Sequence, residues 1–377
     1  MWSDLPFDLL AEIFSSLSPD TFVRAKSVCK NWAACAAASP PWARRNNLPW
    51  FVAMPARAHH HFFFCAHNPT QKGGWHLLPS GLIPPPVRPV ASVAGMVILR
   101  LGTATALQLA ICNPFTGQFR RLPVMNTART NPAVGVVPVK EEEKSGYRIY
   151  VAGGMSEGGR GGASYVPTVE TYDPNRDKWA LTGSMPMEYA VRLTVWTPRE
   201  GVYNNGVLYW ISSARAYSVV GFEVWTNKWK QFKVPMGESL EFAALAVKRG
   251  KLLALGVGEA CDGGGAWVWE LGAPEDDPWR VIEKVPFEMG RRLVWGKGSW
   301  GDVKGVGIDG VVCLYRDLGE GVVVWRECGE NFRGEWSWIE GGFQGGCRSL
   351  GGGSRTAHPS RVQGSAAPAG SKLRGKA

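Results

Sequence analysis

The sequence predicts a mainly β fold with a small α module at its N-terminus. Three observations predict it. The 377 residues include 47 Gly, 26 Pro and 18 Trp, a mixture of turn formers and large anchors that suits many short strands. An aromatic residue followed within a few positions by Pro recurs about every 50 residues. Helical spacing of apolar residues, by contrast, is confined to roughly the first 45 residues. With 45% apolar residues the chain can bury a sizeable core.

The net charge of +10 is uneven. From Gln344 to Ala377 there are six basic residues and no acid, so this stretch carries +6 and the rest +4. Such a balance is a weak signal for nucleic acid, which is not an expected partner. No run of apolar residues is long enough for a transmembrane helix, so no membrane is expected either. Met1-Trp2-Ser3-Asp4-Leu5-Pro6 lacks the basic start and apolar run of a secretory leader. The eight cysteines form no Cys-x-x-Cys pair, and no Asn-x-Ser/Thr sequon occurs. The expectation is a reducing compartment, cytoplasm and/or nucleus.

Residues 1–45 read as three short helices. Pro6 suits a first helical position, where its missing N–H costs nothing. Leu9, Ile13 and Leu17 follow at helical spacing, and Leu10 and Phe14 widen that face. Ser18-Pro19 restarts a second helix to about Lys26. A third covers roughly Val28 to Ala38, with Val28 and Trp32 one turn apart, and Ser39-Pro40-Pro41 ends it. So few apolar residues make a poor independent core. The module either caps the β domain or completes its core against a partner.

Leu5-Pro6, Leu9, Ile13, Leu17, the Val28-Cys29-Lys30-x-Trp32 run and Ser39-Pro40 resemble the F-box motif in order and spacing. The resemblance implies docking on the Skp-family adaptor of cullin-based (SCF) ubiquitin ligases. The implied adaptor-binding residues are Leu5, Pro6, Leu9, Ile13, Leu17, Val28, Cys29 and Trp32. Leu and Trp side chains on short helices filling a groove in a partner fit that role.

From about Phe51 short apolar runs alternate with turns. The recurring aromatic residues are Trp75, Phe119, Trp179, Trp229 and Trp279, with a degenerate sixth at Trp336. The first five each precede a Pro: Pro79, Pro123, Pro186, Pro235 and Pro286. A strand and a tight turn stand before the anchors, as in Thr171-Tyr172-Asp173-Pro174-Asn175. Strand, double Gly, strand, turn and Trp at this period resemble the kelch repeat. The copy from Arg148 to Pro186, with Gly153-Gly154, Tyr172 and Trp179, carries the resemblance best. It implies a kelch-type β-propeller over residues 46–343, with six four-stranded blades and Trp residues packed between them. The alternative is a pair of Trp-rich β-sandwiches. Residues 344–377, rich in Gly, Ser, Ala and Arg, read as a disordered basic tail.

The chemistry of the chain points away from catalysis. The six histidines are His59, His60, His61, His67, His76 and His358. None lies between Leu77 and Ala357, so no Ser-His-Asp site and no His-ligated metal is expected in that span. The triple His reads as a solvated loop. Gly305-x-Gly307-x-x-Gly310 matches a dinucleotide fingerprint by letters, but a strand follows where the motif needs a helix. No cofactor and no metal is expected.

The expected function is a non-catalytic substrate-recognition subunit of an SCF-type ubiquitin ligase: a Skp-family adaptor and through it a cullin at one end, a target protein on the propeller. The alternative is a propeller scaffold or carbohydrate-binding F-box protein acting outside ubiquitination. Arg129, Arg192 and Arg292 each stand six residues after a repeat Pro. Equivalent loops circle one mouth of a propeller, so these three are the expected target-binding residues for an acidic or phosphorylated segment. The competing reading pairs each Arg within the fold.

Overall fold

The computed structural model describes residues 5–17, 19–38, 50–55, 63–68, 74–79, 87–93, 95–101, 107–115, 117–141, 144–158, 162–195, 200–212, 216–235, 238–258, 264–272, 279–294, 300, 303–308, 311–316, 320–328, 333–341 and 357–359. Helices α1 (Phe7–Ser16), α2 (Pro19–Ala25) and α3 (Lys30–Ala38) precede six four-stranded antiparallel sheets. These are the blades of a propeller.

Blade 2 shows the plan. Its strands Val87–Val93, Met96–Leu101, Gln108–Cys112 and Phe119–Arg121 pair in chain order. The middle strands are buried almost throughout, while the fourth is largely exposed and forms the outer rim. Blades 4, 5 and 6 repeat it, running Val202–Asn204 to Lys228–Lys233, Leu240–Lys248 to Trp279–Lys284, and Lys304–Ile308 to Arg333–Glu340. Blade 3 (Ala133–Glu141, Lys144–Ala152, Thr168–Asp173, Lys178–Ser184) inserts a small hairpin, Met155–Gly158 with Gly162–Tyr165.

Blade 1 is built from both ends of the chain. Phe51–Pro55, Phe63–His67 and His76–Pro79 are joined by Ala357–Pro359, which pairs antiparallel with Phe51–Pro55. This late strand takes the place that the first strand holds in every other blade. It falls inside the stretch expected to be a disordered tail, and so corrects that expectation at residues 357–359; the rest of 344–377 lies outside the described residues. A sheet closed through both ends leaves no free seam.

A separate apolar core fills each of the six blade junctions. Between blades 1 and 2, Phe64 and Leu78 meet Leu99 and Cys112. Between blades 6 and 1, Tyr315 and Val324 meet Phe51 and Cys65, which closes the ring. The aromatic anchors stand on the outer rim at these junctions. Trp179 donates its indole N–H to the Pro123 carbonyl at 2.9 Å, Trp229 to Ser184 at 3.0 Å and Trp279 to Lys233 at 2.6 Å. Trp75 reaches back to Glu340 at 3.0 Å. In each case a blade is pinned to the end of the previous blade's outer strand. Phe119 fills the position in blade 2 with no N–H to give.

The double Gly of blade 3 has a steric reason. Gly153 and Gly154 have φ of 70° and 100°, a region that favours Gly. A Cβ on Gly154 would stand 2.8 Å from the Thr130 carbonyl oxygen. The Gly154 N–H donates to Thr194 Oγ1 at 2.7 Å, so the loop and a following helix close directly on the bare backbone. Gly305 and Gly307 of the fingerprint fall on the strand Lys304–Ile308, which pairs antiparallel with Val311–Tyr315 where the motif needs a helix; Gly310 lies outside the described residues.

Candidate functional site

The helical module has two faces. Leu10, Phe14, Phe22, Ala25, Cys35 and Ala36 form its core. Phe14 meets Phe22 and Trp32 edge to face, with ring centroids 5.7 and 5.3 Å apart. Leu5, Leu17 and Trp32 are partly buried against this core. Leu9 and Ile13 turn away from that core and face solvent at 47 and 39% exposure, and Phe7 in the first turn is 45% exposed. Pro6, exposed at the N-terminal cap, extends the ridge formed by Leu9 and Ile13, and Val28 is exposed beyond the helix. Periodicity alone had put Leu10 and Phe14 on the same face as Leu9 and Ile13. The structure separates them: the first pair holds the module together and the second stays available.

Cys29 has a local task. Helix α3 starts one residue later than Cys29, and the Trp32 backbone N–H donates to Cys29 Sγ at 3.4 Å. The sulfur caps the helix as a Ser oxygen would. The Cys35 thiol, pushed up in pKa by burial, donates to the Phe7 carbonyl at 3.6 Å and ties α3 to the start of α1. Helix α2 packs on the outer strand His76–Pro79 of blade 1.

Arg129 does not share a surface with Arg192 and Arg292. Arg129 is fully buried. Its guanidinium donates to the carbonyls of Gly153 and Thr168 at 3.0 and 2.9 Å and pairs with Glu170 at 2.5 Å. The same carboxylate accepts the backbone N–H groups of Asn126 and Thr127 at 2.8 and 3.0 Å. Arg129 is therefore a buried brace between blades 2 and 3, and its expected role in target binding is withdrawn. Arg192 and Arg292 lie on helices Met187–Val195 and Phe287–Leu293, which link blade 3 to blade 4 and blade 5 to blade 6. Arg192 pairs with Glu188 at 2.7 Å. Arg292 pairs with Glu340 at 2.7 Å and lies 4.0 Å over the Trp338 ring. The common offset from Pro falls in an irregular loop for Arg129 and in helices for Arg192 and Arg292, so equal spacing buries the first and leaves the other two on helices.

No group of three or more His, Cys, Asp or Glu among the described residues is placed to hold a metal, and no described helix is long and apolar enough to cross a membrane. His59, His60 and His61 lie outside the described residues.

A helical module with an exposed apolar ridge, joined to a ring of six blades, defines a two-part binding protein. Comparison with known proteins agrees with both parts. Residues 2–44 match the F-box domain and residues 145–186 the Kelch motif. The chain is 24% identical over 296 residues to F-box only protein 6 of Arabidopsis thaliana, covering 76% of this chain and 59% of that protein. It is 22% identical over 338 residues to Protein UNUSUAL FLORAL ORGANS of Arabidopsis thaliana, covering 80% of this chain and 71% of that one. To Protein ABERRANT PANICLE ORGANIZATION 1 of Oryza sativa subsp. japonica it is 26% identical over 263 residues, 65% of this chain and 57% of that one. Among solved structures it is similar to YjhT, with a TM-score of 0.39 at 14% identity over 69% of this chain and 85% of that chain. The two domains, together with the plant F-box relatives, support membership of a plant F-box/kelch family.

Proposed function

We propose that the chain is a substrate-recognition subunit of an SCF-type ubiquitin ligase. One observation carries the reading: the Pro6, Leu9 and Ile13 ridge is apolar, exposed and backed by its own packed core, on a module that matches the F-box domain. Apolar side chains held outward at helical spacing are what a groove in an adaptor receives. The F-box implies a Skp-family adaptor, and through it a cullin. The propeller then holds the target. In this reading the subunit makes and breaks no bond; it raises the local concentration of target lysines beside a charged conjugating enzyme. Its setting would be cytoplasm or nucleus.

The test is co-purification of a Skp-family adaptor with the full chain and with a Leu9→Asp, Ile13→Asp variant. Equimolar complex with the first and none with the second supports the reading. Equal recovery by both, with the variant folded, sinks it.

A further inference from the structure

Trp225 differs from the tryptophans packed between blades. At 74% exposure it is the one described tryptophan presented fully to solvent. It stands in the turn between the third and fourth strands of blade 4. That turn is held firmly: the Asn227 N–H donates to the Glu223 carbonyl and the Val224 N–H to the Gly206 carbonyl, both at 2.9 Å. Thr226 Oγ1 donates to the Glu223 carboxylate at 2.7 Å.

The indole lies over a second turn of the same blade. A Cβ on Gly206 would stand 3.6 Å from the Trp225 ring. Asn205 and Gly206 both have positive φ, as do Arg249 and Gly250 in the matching turn of blade 5. The side-chain amides of Asn204 and Asn205 both donate to the Gly250 carbonyl, at 3.0 and 2.9 Å. Turns of two blades are thus fused into one shelf with an exposed indole on it. A large ring already fixed in place loses little freedom when a partner covers it.

The shelf is also basic. Lys228, Lys230, Arg249 and Lys251 are exposed around it. Two of these cations are paired, Lys230 with Glu223 at 2.5 Å and Lys251 with Glu270 at 2.7 Å. Four cations against two acids leave the shelf an excess of positive charge, which favours a partner of opposite charge.

We propose that this shelf grips an acidic, extended segment of the target protein, with a proline or apolar side chain of that segment laid on the Trp225 indole. The proposal rests on the target-receptor reading above and deepens it by naming the face. In a four-stranded antiparallel meander the first-to-second and third-to-fourth turns lie at one end, and the second-to-third turn and the blade-to-blade connections at the other. The shelf is therefore on the face opposite the helices of Arg192 and Arg292.

The experiment uses the full chain co-expressed with the adaptor and two fluorescein-labelled pools of short synthetic peptides. One pool is rich in Asp and Glu with one Pro or Phe; the other has Lys in place of the acids. The acidic pool should bind and the Lys pool should not, by fluorescence polarisation. Trp225→Ala should weaken binding by about tenfold or more, with an unchanged melting temperature and unchanged adaptor recovery. Lys228→Glu should weaken it too, and Phe287→Ala on the other face should not. Failure of the wild-type chain to bind the acidic pool, or equal binding by Trp225→Ala, overturns the proposal. Self-association that Trp225→Ala abolishes, without peptide binding, would assign the shelf to a second copy and overturn it as well. Peptide binding without adaptor recovery would support the shelf and count only against the ligase reading.

Discussion

The indole N–H of Trp75 donates to the backbone carbonyl of Glu340 at 3.0 Å, across 265 residues of sequence. This bond joins the outer strand of blade 1 to the end of blade 6. The same Glu340 accepts Arg292 on its carboxylate, and that guanidinium holds the carboxyl below its usual range. One residue therefore receives the first blade through its backbone and the helix before the last blade through its side chain. The Trp75 bond belongs to the same series as those of Trp179, Trp229 and Trp279, so the ring closes by the rule that builds it.

Trp75→Phe keeps the ring packing and removes the donor. The expected cost is about 0.5–1.5 kcal/mol, read by chemical denaturation. Hydrogen exchange should quicken in Phe51–Pro55 and Gly321–Cys328, the strands on either side of the closing junction. Trp179→Ala, which also empties a buried junction site, should cost about 3–5 kcal/mol. Equal effects from the two would contradict the division between donor and packing.

His67 gives this junction a pH dependence. The side chain is buried, its ring centroid is 5.3 Å from that of Trp75, and Nε2 has no hydrogen-bond partner. Burial holds its pKa below the ordinary 6.5, with further lowering from His76 and Arg326 against the Gly74 carbonyl. The fold thus accommodates neutral His67, while the unfolded chain takes up a proton near pH 6.5. Stability should be full above that pH and decline as the pH falls below it. Asp177 and Glu223, whose pKa values are lowered, act only in the more acidic carboxylate range. Denaturation midpoints between about pH 7 and pH 5 should fall for the wild type and fall less for His67→Gln. Parallel slopes would exclude His67 as the source.

Glu170→Ala leaves Arg129 buried without its partner and should cost about 3–5 kcal/mol. Arg192→Ala and Arg292→Ala remove pairs at the surface and should each cost under about 1 kcal/mol. Denaturation of the three variants compares them directly. A small loss for Glu170→Ala would mean that water reaches the site.

Much of the architecture was legible because propeller blades repeat. A Trp and a Pro at a regular step mark the outer strand wherever that strand must reach its neighbour. Gly153-Gly154 was legible because positive φ and close backbone approach leave few other choices. The closing strand Ala357–Pro359 was not, since three residues pairing across more than 300 positions carry no local period. Arg129 was misread because spacing from Pro was taken without the backbone between them. Its partner explains the outcome: Glu170 lies in the strand Thr168–Asp173, buried at its four central positions, where a carboxylate requires a buried cation. Leu9 and Leu10 are adjacent in sequence with opposite roles, and only the packing of α1 on α3 distinguishes them. Trp225 was not legible as a surface anchor, because only the packing of the blades shows which tryptophans stay exposed.

The two faces of α1 can be separated by substitution. Phe14→Ala removes a buried ring and should unfold the helical module, with loss of about 3–5 kcal/mol and loss of adaptor binding together. Leu9→Ala should leave the helical signal in circular dichroism unchanged while weakening adaptor binding by about tenfold.

The most direct measurement of the central claim is titration calorimetry of a purified Skp-family adaptor into the full chain, beside the same titration into the Leu9→Asp, Ile13→Asp variant. The account predicts equimolar binding to the first and no heat of binding to the second, with both chains melting at the same temperature. Absence of binding to the wild-type chain, or undiminished binding to a folded variant, would contradict it.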